Sequence, residues 1–448
     1  MADDSSSDDE QDIEDGYDAM QEIEEYHGES SSEYSDSGSS PIDNGDGPRP
    51  LSIAFDPSLP TRHEYLGEEM DEFSGRTVLE PNNVLQLPLL TLPGLILVPG
   101  QTLPLHIFQP QTVAMMKNVI DKDRTFGQVN SRYGSNRNQL LSSIGTTVEI
   151  FSMKEEVEAG ITTIRIKATG RQRFRIIDIR TQVDGIPQAT VQILPEITLS
   201  PHPEGGLLSC YSKSGCQATC GGCLPKYHPP GGGVGKPRLG VSRFRKVNTS
   251  LSSWPEWVYR LYNPFSLMDE IKKLLLSWNE SMRVDNLPIC PTEFSFWIAA
   301  NLPLDDRLRL QILTINCPTQ RLRKELSIMQ KCSVLCCRDC NSTIAYKNEL
   351  FSMSLDGPLG AYVNPGGFVH ETLTFYKALG IRLRGHPTAE NSWFPGYAWT
   401  IAECQQCSNH LGWRFSAIKK GLSPGKFWGL TRSSLKPSMK DEGITDDS

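Results

Sequence analysis

The sequence predicts a multidomain α+β chain with a disordered acidic tail, a β-rich domain, a helical bundle and a C-terminal all-β domain. Three observations support this prediction. Seventeen of the 53 acidic residues lie in residues 1–48, which contain no Lys or Arg. Apolar residues alternate with polar ones up to about residue 195, follow helical spacing from about 250 to 330, and then alternate again. Two Cys-x-x-Cys pairs mark the last hundred residues.

The first segment, residues 1–49, is acidic and rich in serine. Such a composition buries too little apolar surface to offset chain entropy, so we predict a disordered tail. The sequence has no apolar leader and no run of 18 apolar residues, so we expect a soluble intracellular protein without a membrane span. In a reducing compartment, its twelve cysteines are metal ligands or buried thiols rather than disulfides.

The β-rich domain is predicted over residues 80–195. Its first part, "VLQLPLLTLPGLILVPGQTLPLHIF", is apolar and interrupted by prolines, which favours short strands joined by turns. A helix follows in "QTVAMMKNVIDKD", with Val113, Met116 and Ile120 on one face. "GTTVEIFSMKEE" and "GITTIRIKATGRQRFRIIDIR" then alternate as half-buried antiparallel strands do.

These strands carry a resemblance to a known family. "LPLLTLPGLILVPGQTLPLHIF", "DRTFGQV", "GTTVEI" and "GRQRFRI" resemble the N-terminal substrate-binding domain of Lon proteases. The resemblance implies a Lon N-terminal-like domain, which we place at residues 80–331 together with the helical region. No ATPase or protease domain follows, so protease activity is not implied.

An irregular insert at residues 200–245 interrupts this domain. It is rich in Gly, Pro and Cys, and four of its cysteines follow a spacing that fits no common zinc site. Its "PGGGVGKP" is not a phosphate-binding loop, because Pro230 and Pro237 occupy positions that such a loop requires to be Gly and Ser or Thr.

Helical spacing returns at about residue 250 and predicts a bundle up to 330. The first strong helix has Ser266 as its expected N-cap and carries one apolar stripe: Leu267, Ile271, Leu274, Leu275 and Trp278. Further helices are predicted at 292–300, 305–315 and 319–330, separated by prolines.

The two cysteine pairs are Cys337–Cys340 and Cys404–Cys407, with 63 residues between them. Each pair can bind one edge of a tetrahedral ion, and two pairs complete a shell of four thiolates. Because this shell has no open position, the sequence predicts one structural zinc that closes an all-β domain, rather than a catalytic or redox site. Cys336 is an alternative zinc ligand to Cys337. We prefer Cys337, because it leaves two residues between itself and Cys340.

The aromatic residues around the second pair form the candidate binding site. In "YAWTIAEC" and "GWRF", Trp399 lies on one strand and Trp413 with Phe415 on the next, so we expect the two indoles opposite each other. Trp393, in the preceding Pro-Gly turn, would be a third wall. Two interpretations are open: the core of a small domain, or a pocket for a methylated lysine or a small neutral ring.

The same segment resembles a second family. "KNELFSMSLDGPLGAYVNPGGFVHETLTFYKA", "SWFPGYAWT" and "SPGKFWGLTRSSL" resemble the thalidomide-binding (CULT) domain of the cereblon family, which we place at residues 332–439. The resemblance implies a non-enzymatic substrate receptor of a cullin-4 RING ubiquitin ligase, in the cytoplasm and nucleus. Its helical region would bind the adaptor DNA damage-binding protein 1, and no nucleic-acid partner is expected.

The resemblance also implies the ligand and the residues that bind it. Glutarimides and client proteins with cyclic-imide degrons would bind among Trp393, Trp399 and Trp413, with Phe415 behind, and be presented for ubiquitination and proteasomal degradation. Backbone groups near Asn391 would hydrogen-bond the imide, and zinc would bind Cys337, Cys340, Cys404 and Cys407. The family usually has His at the positions of Asn391 and Gly366. The alternatives are a methyl-lysine reader and an enzyme resembling methionine sulfoxide reductase.

Overall fold

The computed structural model describes residues 53–439, with gaps at 68, 134–138, 159, 199–255, 280–281 and 283–286. The predicted acidic tail and the insert at 200–245 lie outside the described residues. Within them, the predicted α+β fold is confirmed, with a β domain, helices in the middle of the chain and a C-terminal all-β domain. No helix in this part of the chain is long and apolar enough to cross a membrane. The predicted division into 80–331 and 332–439 stays a prediction.

The β-rich domain is built on an eight-stranded sheet. Its strands, with the short β1 that precedes it, are β1 (Ile53–Ala54), β2 (Asp71–Glu72), β3 (Val84–Pro93), β4 (Thr102–Ile107), β5 (Thr125–Tyr133), β6 (Gln139–Leu141), β7 (Ile144–Glu158), β8 (Ile161–Thr181) and β9 (Pro187–Ile193). The sheet order is β2-β7-β5-β3-β9-β8-β4, with β6 beside β5, and β7 also pairs with β8. That extra pairing closes five strands into a ring. Two helices lie in this part, α1 (Ser58–Arg62) and α2 (Pro110–Asp121).

Pro88 does not break β3, although the frequency of prolines predicts shorter strands. β3 pairs with β9 up to Pro88 and with β5 from Leu89 onward. Proline has no N–H to donate to a neighbouring strand, so it is tolerated where the pairing changes sides.

The helices of the middle region match the predicted ones closely. They are α3 (Glu256–Arg260), α4 (Pro264–Trp278), α5 (Pro291–Asn301), α6 (Asp306–Thr314) and α7 (Pro318–Lys331). The apolar stripe of α4 is buried at Leu267, Ile271 and Leu275. The predicted N-cap is wrong: Asn263 caps α4, its side chain accepting a hydrogen bond from the Phe265 N–H. Pro264 then starts the helix, because its fixed φ suits the first helical position.

The C-terminal region contains a six-stranded sheet and a three-stranded sheet. Its strands are β10 (Cys332–Cys337), β11 (Thr343–Tyr346), β12 (Leu359–Val363), β13 (Val369–Phe375), β14 (Ile381–Thr388), β15 (Tyr397–Cys404), β16 (His410–Ala417), β17 (Leu422–Ser423), β18 (Lys426–Thr431) and β19 (Leu435–Met439). The orders are β12-β13-β18-β16-β15-β14 and β11-β10-β19. In addition, β1 pairs in parallel with β17, which brings the start of the described chain onto this region.

Candidate metal centre and aromatic pocket

Four cysteine thiols meet where the two C-terminal sheets approach each other. The Sγ atoms of Cys337, Cys340, Cys404 and Cys407 all lie within 4.8 Å of one another. Two of these separations are 3.7 Å, from Cys337 to Cys407, and 3.5 Å, from Cys340 to Cys404. A tetrahedral zinc with Zn–S bonds of about 2.3 Å requires sulfurs about 3.8 Å apart, so the four thiols fit one structural zinc.

Each ligand pair is held by a strand and the turn next to it. Cys337 ends β10 and Cys404 ends β15, while Cys340 and Cys407 lie in the turns that follow. A zinc bound here links the three-stranded sheet to the six-stranded one. Cys336, the alternative ligand, is buried and is not part of the cluster.

Ser342 supports the thiolate form of this centre, and no local sequence pattern identifies it. Its Oγ lies 3.1 Å from Cys340 Sγ and 3.3 Å from Cys404 Sγ. The hydrogen bond from Ser342 lowers the pKa of Cys340 to about 6. Zinc binds thiolates, so this hydroxyl favours the form of Cys340 that binds the metal.

The three tryptophans lie close together on one side of the six-stranded sheet. The rings of Trp393 and Trp413 meet edge to face, with centroids 4.7 Å apart and planes at 77°. Both are almost fully buried, whereas Trp399 is half-buried. Phe415 is buried beneath them and stacks on Phe427, with centroids 5.0 Å apart. The structure therefore brings all four predicted aromatic residues into one cluster.

The sequence predicts that Trp399 and Trp413 lie directly opposite each other. In the structure they are diagonal neighbours instead. Trp399 pairs with Phe415, and Trp413 pairs with Ile401. The turn after Cys404 and a bulge between Ala402 and Glu403 set this register. Diagonal neighbours share a face, so both indoles still border the same space.

Two backbone contacts fix the indole N–H groups. Trp399 Nε1–H donates to the Glu390 carbonyl at 2.8 Å, and Trp393 Nε1–H donates to the Val363 carbonyl at 3.2 Å. The first bond spans the loop between β14 and β15. In that loop Asn391 is exposed and has φ 52°, a left-handed conformation that asparagine tolerates better than most residues.

The loop also offers a free acceptor and a free donor. Within the described part of the chain, neither the Asn391 carbonyl oxygen nor the Trp393 amide N–H has a hydrogen-bond partner. These groups belong to residues two apart in the chain, and Trp393 itself contributes an indole to the aromatic cluster. An acceptor next to a donor matches a ligand edge that carries an N–H beside a C=O.

Tyr362 and His370 extend the cluster, and local sequence patterns do not identify either. Tyr362 stacks on Trp393 with centroids 5.2 Å apart, and His370 lies edge-on to Trp413 at 5.1 Å. Burial, with a smaller effect from the charge of His410, lowers the pKa of His370 to about 4. The imidazole of His370 is therefore neutral at pH 7.

Gly366 and Gly367 lie in the turn between β12 and β13. Gly367 has φ 83° and packs against the end of β4, where a Cβ would lie 2.7 Å from the His106 carbonyl oxygen. Gly366 has open space, since the nearest atom to a Cβ there is 3.5 Å away. Position 366 can therefore accept a Cβ without a close contact.

Two family models match the chain. Residues 86–331 match the ATP-dependent protease La (LON) substrate-binding domain. Residues 333–444 match the model described as Yippee zinc-binding/DNA-binding/Mis18, centromere assembly. The Lon N-terminal domain protein from Xanthomonas campestris, a solved structure, aligns with a TM-score of 0.32 at 18% identity, covering 54% of this chain and 98% of that one.

Curated relatives match over most of the chain. Protein cereblon of Danio rerio is 49% identical over 419 residues, which cover 90% of this chain and 93% of that protein. Protein cereblon of Gallus gallus is 48% identical over 397 residues, covering 88% and 87%. Protein cereblon of Drosophila melanogaster is 30% identical and covers 88% and 64%. Together with the four-cysteine centre and the Lon-type domain, these identities show that the chain belongs to the cereblon family.

Proposed function

We propose that this chain is the substrate-recognition subunit of a cullin-4 RING ubiquitin ligase. It binds cyclic imides, either glutarimide molecules or degrons on client proteins, and presents the clients for ubiquitination and proteasomal degradation. Membership of the cereblon family supports this proposal. We further propose that it acts in the cytoplasm and the nucleus, with no direct contact to nucleic acid.

The observation that carries the proposal is the free acceptor of Asn391 and the free donor of Trp393, in the loop that also holds the Trp393 indole. A glutarimide is a small neutral ring whose edge has an N–H between two carbonyls. Its N–H would donate to the Asn391 carbonyl oxygen, and one of its carbonyls would accept from the Trp393 amide N–H. The faces of Trp399 and Trp413 would bury the apolar part of the ring, as in other small-ligand sites.

The same groups favour a neutral ring over a methylated lysine. A trimethylammonium group has no N–H to donate, so it would leave the Asn391 carbonyl and the Trp393 amide unpaired on burial, at a cost of about 1–3 kcal/mol each. The side chain of Glu390 is exposed, so water and salt would screen its attraction for a cation.

The start of the helical region is the proposed docking surface for DNA damage-binding protein 1. Trp257 on α3 and Phe265 on α4 are large apolar side chains that are 64% and 52% exposed. Exposed aromatic residues of this kind are typical anchors of protein interfaces. The surface also lies within the predicted adaptor-docking region, residues 250–330.

The thiols of the C-terminal region that lie outside the metal centre support a non-enzymatic role. A reductase of the methionine sulfoxide type needs a reactive cysteine, and Cys332 and Cys336 are both buried. Burial raises the pKa of Cys332 to about 11, so its thiol is not ionised near neutral pH and is a poor nucleophile. We propose that the RING partner of the ligase performs ubiquitin transfer.

Two matched substitutions test both halves of the proposal. A glutarimide titrated into the wild type quenches tryptophan fluorescence; Trp399→Ala abolishes the quenching, whereas Trp257→Ala keeps it. Pull-down of the adaptor has the opposite outcome: Trp257→Ala loses adaptor binding, and Trp399→Ala keeps it.

Absence of quenching in the wild type rejects the imide pocket. Displacement of a bound glutarimide by a trimethyl-lysine peptide supports the reader instead, and sulfoxide turnover by the full chain supports the enzyme.

A further inference from the structure

A cavity of about 340 Å³ lies between helix α6 and the end of the C-terminal region, away from the aromatic pocket. Three segments line it: residues 305–307 at the start of α6, Arg338 between the first two zinc-ligand cysteines, and residues 432–436 before and within β19. The cavity therefore borders the helical bundle on one side and the zinc-linked sheet on the other.

Both carboxylates in this cavity are already engaged. Asp305 caps α6, accepting a hydrogen bond from the Leu308 N–H at 2.7 Å. Asp306 accepts from Arg432 at 2.9 Å, and Arg432 also pairs with the buried Glu371. The acidic groups are thus used for capping and for a buried ion pair.

Three other cations line the cavity without an acidic partner. Arg307, Arg338 and Lys436 form no ion pair with any carboxylate in the described part of the chain. Two of them are anchored to backbone carbonyls: Arg338 donates to the Ser433 carbonyl at 3.0 Å, and Lys436 Nζ donates to the Arg338 carbonyl at 3.0 Å. Because no carboxylate neutralises these cations, they can attract an anion that enters the cavity.

We propose that this basic cavity, formed by Arg307, Arg338 and Lys436, binds a phosphate-bearing small molecule. Guanidinium groups present paired N–H donors that match phosphate oxygens, and an ammonium group adds a compact charge. The volume suits a small ligand, at the lower end of ordinary binding pockets. Such a ligand contacts both the bundle and the zinc-linked sheet, so its binding stabilises their packing.

Pyrophosphate is the probe that tests this site. Isothermal titration calorimetry of the full chain, at constant ionic strength, gives a saturable one-to-one signal with the wild type. Arg307→Ala and Lys436→Ala each weaken binding about tenfold or more, because each removes one charge-assisted contact. Lys420→Ala, which removes an exposed charge from the turn before β17, leaves binding unchanged.

Two outcomes overturn the proposal. One is the absence of pyrophosphate binding to a folded wild-type chain that carries one zinc; the cations then only balance the charge of the thiolate centre. The other is equal weakening by Lys420→Ala, which indicates attraction by net charge alone. Arg307 is exposed on α6, so Arg307→Ala tests the site even if Lys436→Ala does not fold. Both results are independent of imide binding.

Discussion

Tyr65 and Trp393 bind opposite sides of one residue, Val363. The Val363 N–H donates to the Tyr65 hydroxyl at 3.2 Å, and the Val363 carbonyl accepts from Trp393 Nε1–H at 3.2 Å. The Tyr65 hydroxyl in turn lies 2.9 Å from Nδ1 of His63. Burial lowers the pKa of His63 to about 3, so this ring is neutral at pH 7. Its Nδ1 can therefore accept a hydrogen bond from the Tyr65 hydroxyl. A segment that precedes the β-rich domain therefore positions Trp393 within the aromatic cluster.

Removal of the Tyr65 hydroxyl therefore destabilises the chain. Tyr65→Phe leaves a backbone N–H and a buried imidazole nitrogen without partners, so we expect a loss of about 1–3 kcal/mol in the free energy of unfolding. Chemical denaturation at pH 7 measures it. If the pocket is an imide site, the glutarimide dissociation constant also increases, because Trp393 loses part of its support.

Tyr346→Phe is the matched control for this change. Tyr346 lies on β11 and is largely exposed, so loss of its hydroxyl leaves stability within about 0.5 kcal/mol of the wild type. Equal stability of the two variants would show that the Tyr65 hydrogen bonds contribute nothing.

The contrast between Tyr65 and the cysteines shows what the sequence can predict. The pairs that contain Cys337 and Cys404 are local patterns, and a tetrahedral metal needs little else to bring them together. Alternation likewise placed Trp399 and Trp413 on one face. Tyr65 and Val363 are almost 300 residues apart. No local spacing encodes such a contact, and the same holds for Ser342, whose role depends on where the sheets meet.

Gly367 is required for contact between the β12–β13 turn and β4, whereas Gly366 is not. Gly367→Ala places a Cβ against the His106 carbonyl and forces an L-residue into φ 83°. We expect it to lower the free energy of unfolding by about 1–3 kcal/mol. Gly366→Ala has room and changes it by less than about 0.5 kcal/mol. Thermal unfolding of the two variants measures the difference, and a tolerated Gly367→Ala would show that the turn does not pack closely on β4.

Loss of one zinc ligand removes the metal and the link between the two C-terminal sheets. Cys404→Ser leaves three thiolates, so we expect less than one zinc per chain by elemental analysis and a lower unfolding temperature. If the pocket is an imide site, glutarimide quenching is also lost, because Cys404 ends β15, which carries Trp399. Cys336→Ser is the matched control: it changes the buried thiol next to Cys337 in the same way, and we expect it to retain one zinc per chain. Loss of zinc in both variants would contradict the assignment of Cys337 as the ligand.

Glu371 lies at the centre of a buried network that joins three parts of the chain. It accepts hydrogen bonds from Gln101 of the β-rich domain, from Arg309 on α6 and from Arg432 after β18. Burial alone would raise the pKa of Glu371, but the two guanidinium groups outweigh it and hold the pKa below its usual value of 4.5. The folded chain therefore favours the charged carboxylate.

The sign of the pH dependence follows from this pKa. Because the folded state binds the Glu371 proton more weakly than the unfolded state does, its stabilising effect is complete above about pH 4.5 and is lost as the pH falls through the folded pKa. Glu371→Gln leaves Arg309 buried without its anion and leaves Arg432 with Asp306 alone, so we expect a loss of about 3–5 kcal/mol at pH 7. Urea unfolding between pH 3.5 and 7 should show this difference decreasing toward acid.

Glu155→Gln separates the effect of the network from that of charge alone. Glu155 pairs with Lys117 at 2.6 Å, but both side chains are more than a third exposed, so the pair contributes about 0–1 kcal/mol at any pH. A Glu371→Gln chain as stable as Glu155→Gln would mean that water reaches the two arginines. The network would then be too weak to hold the β-rich domain, α6 and the C-terminal sheet in one arrangement.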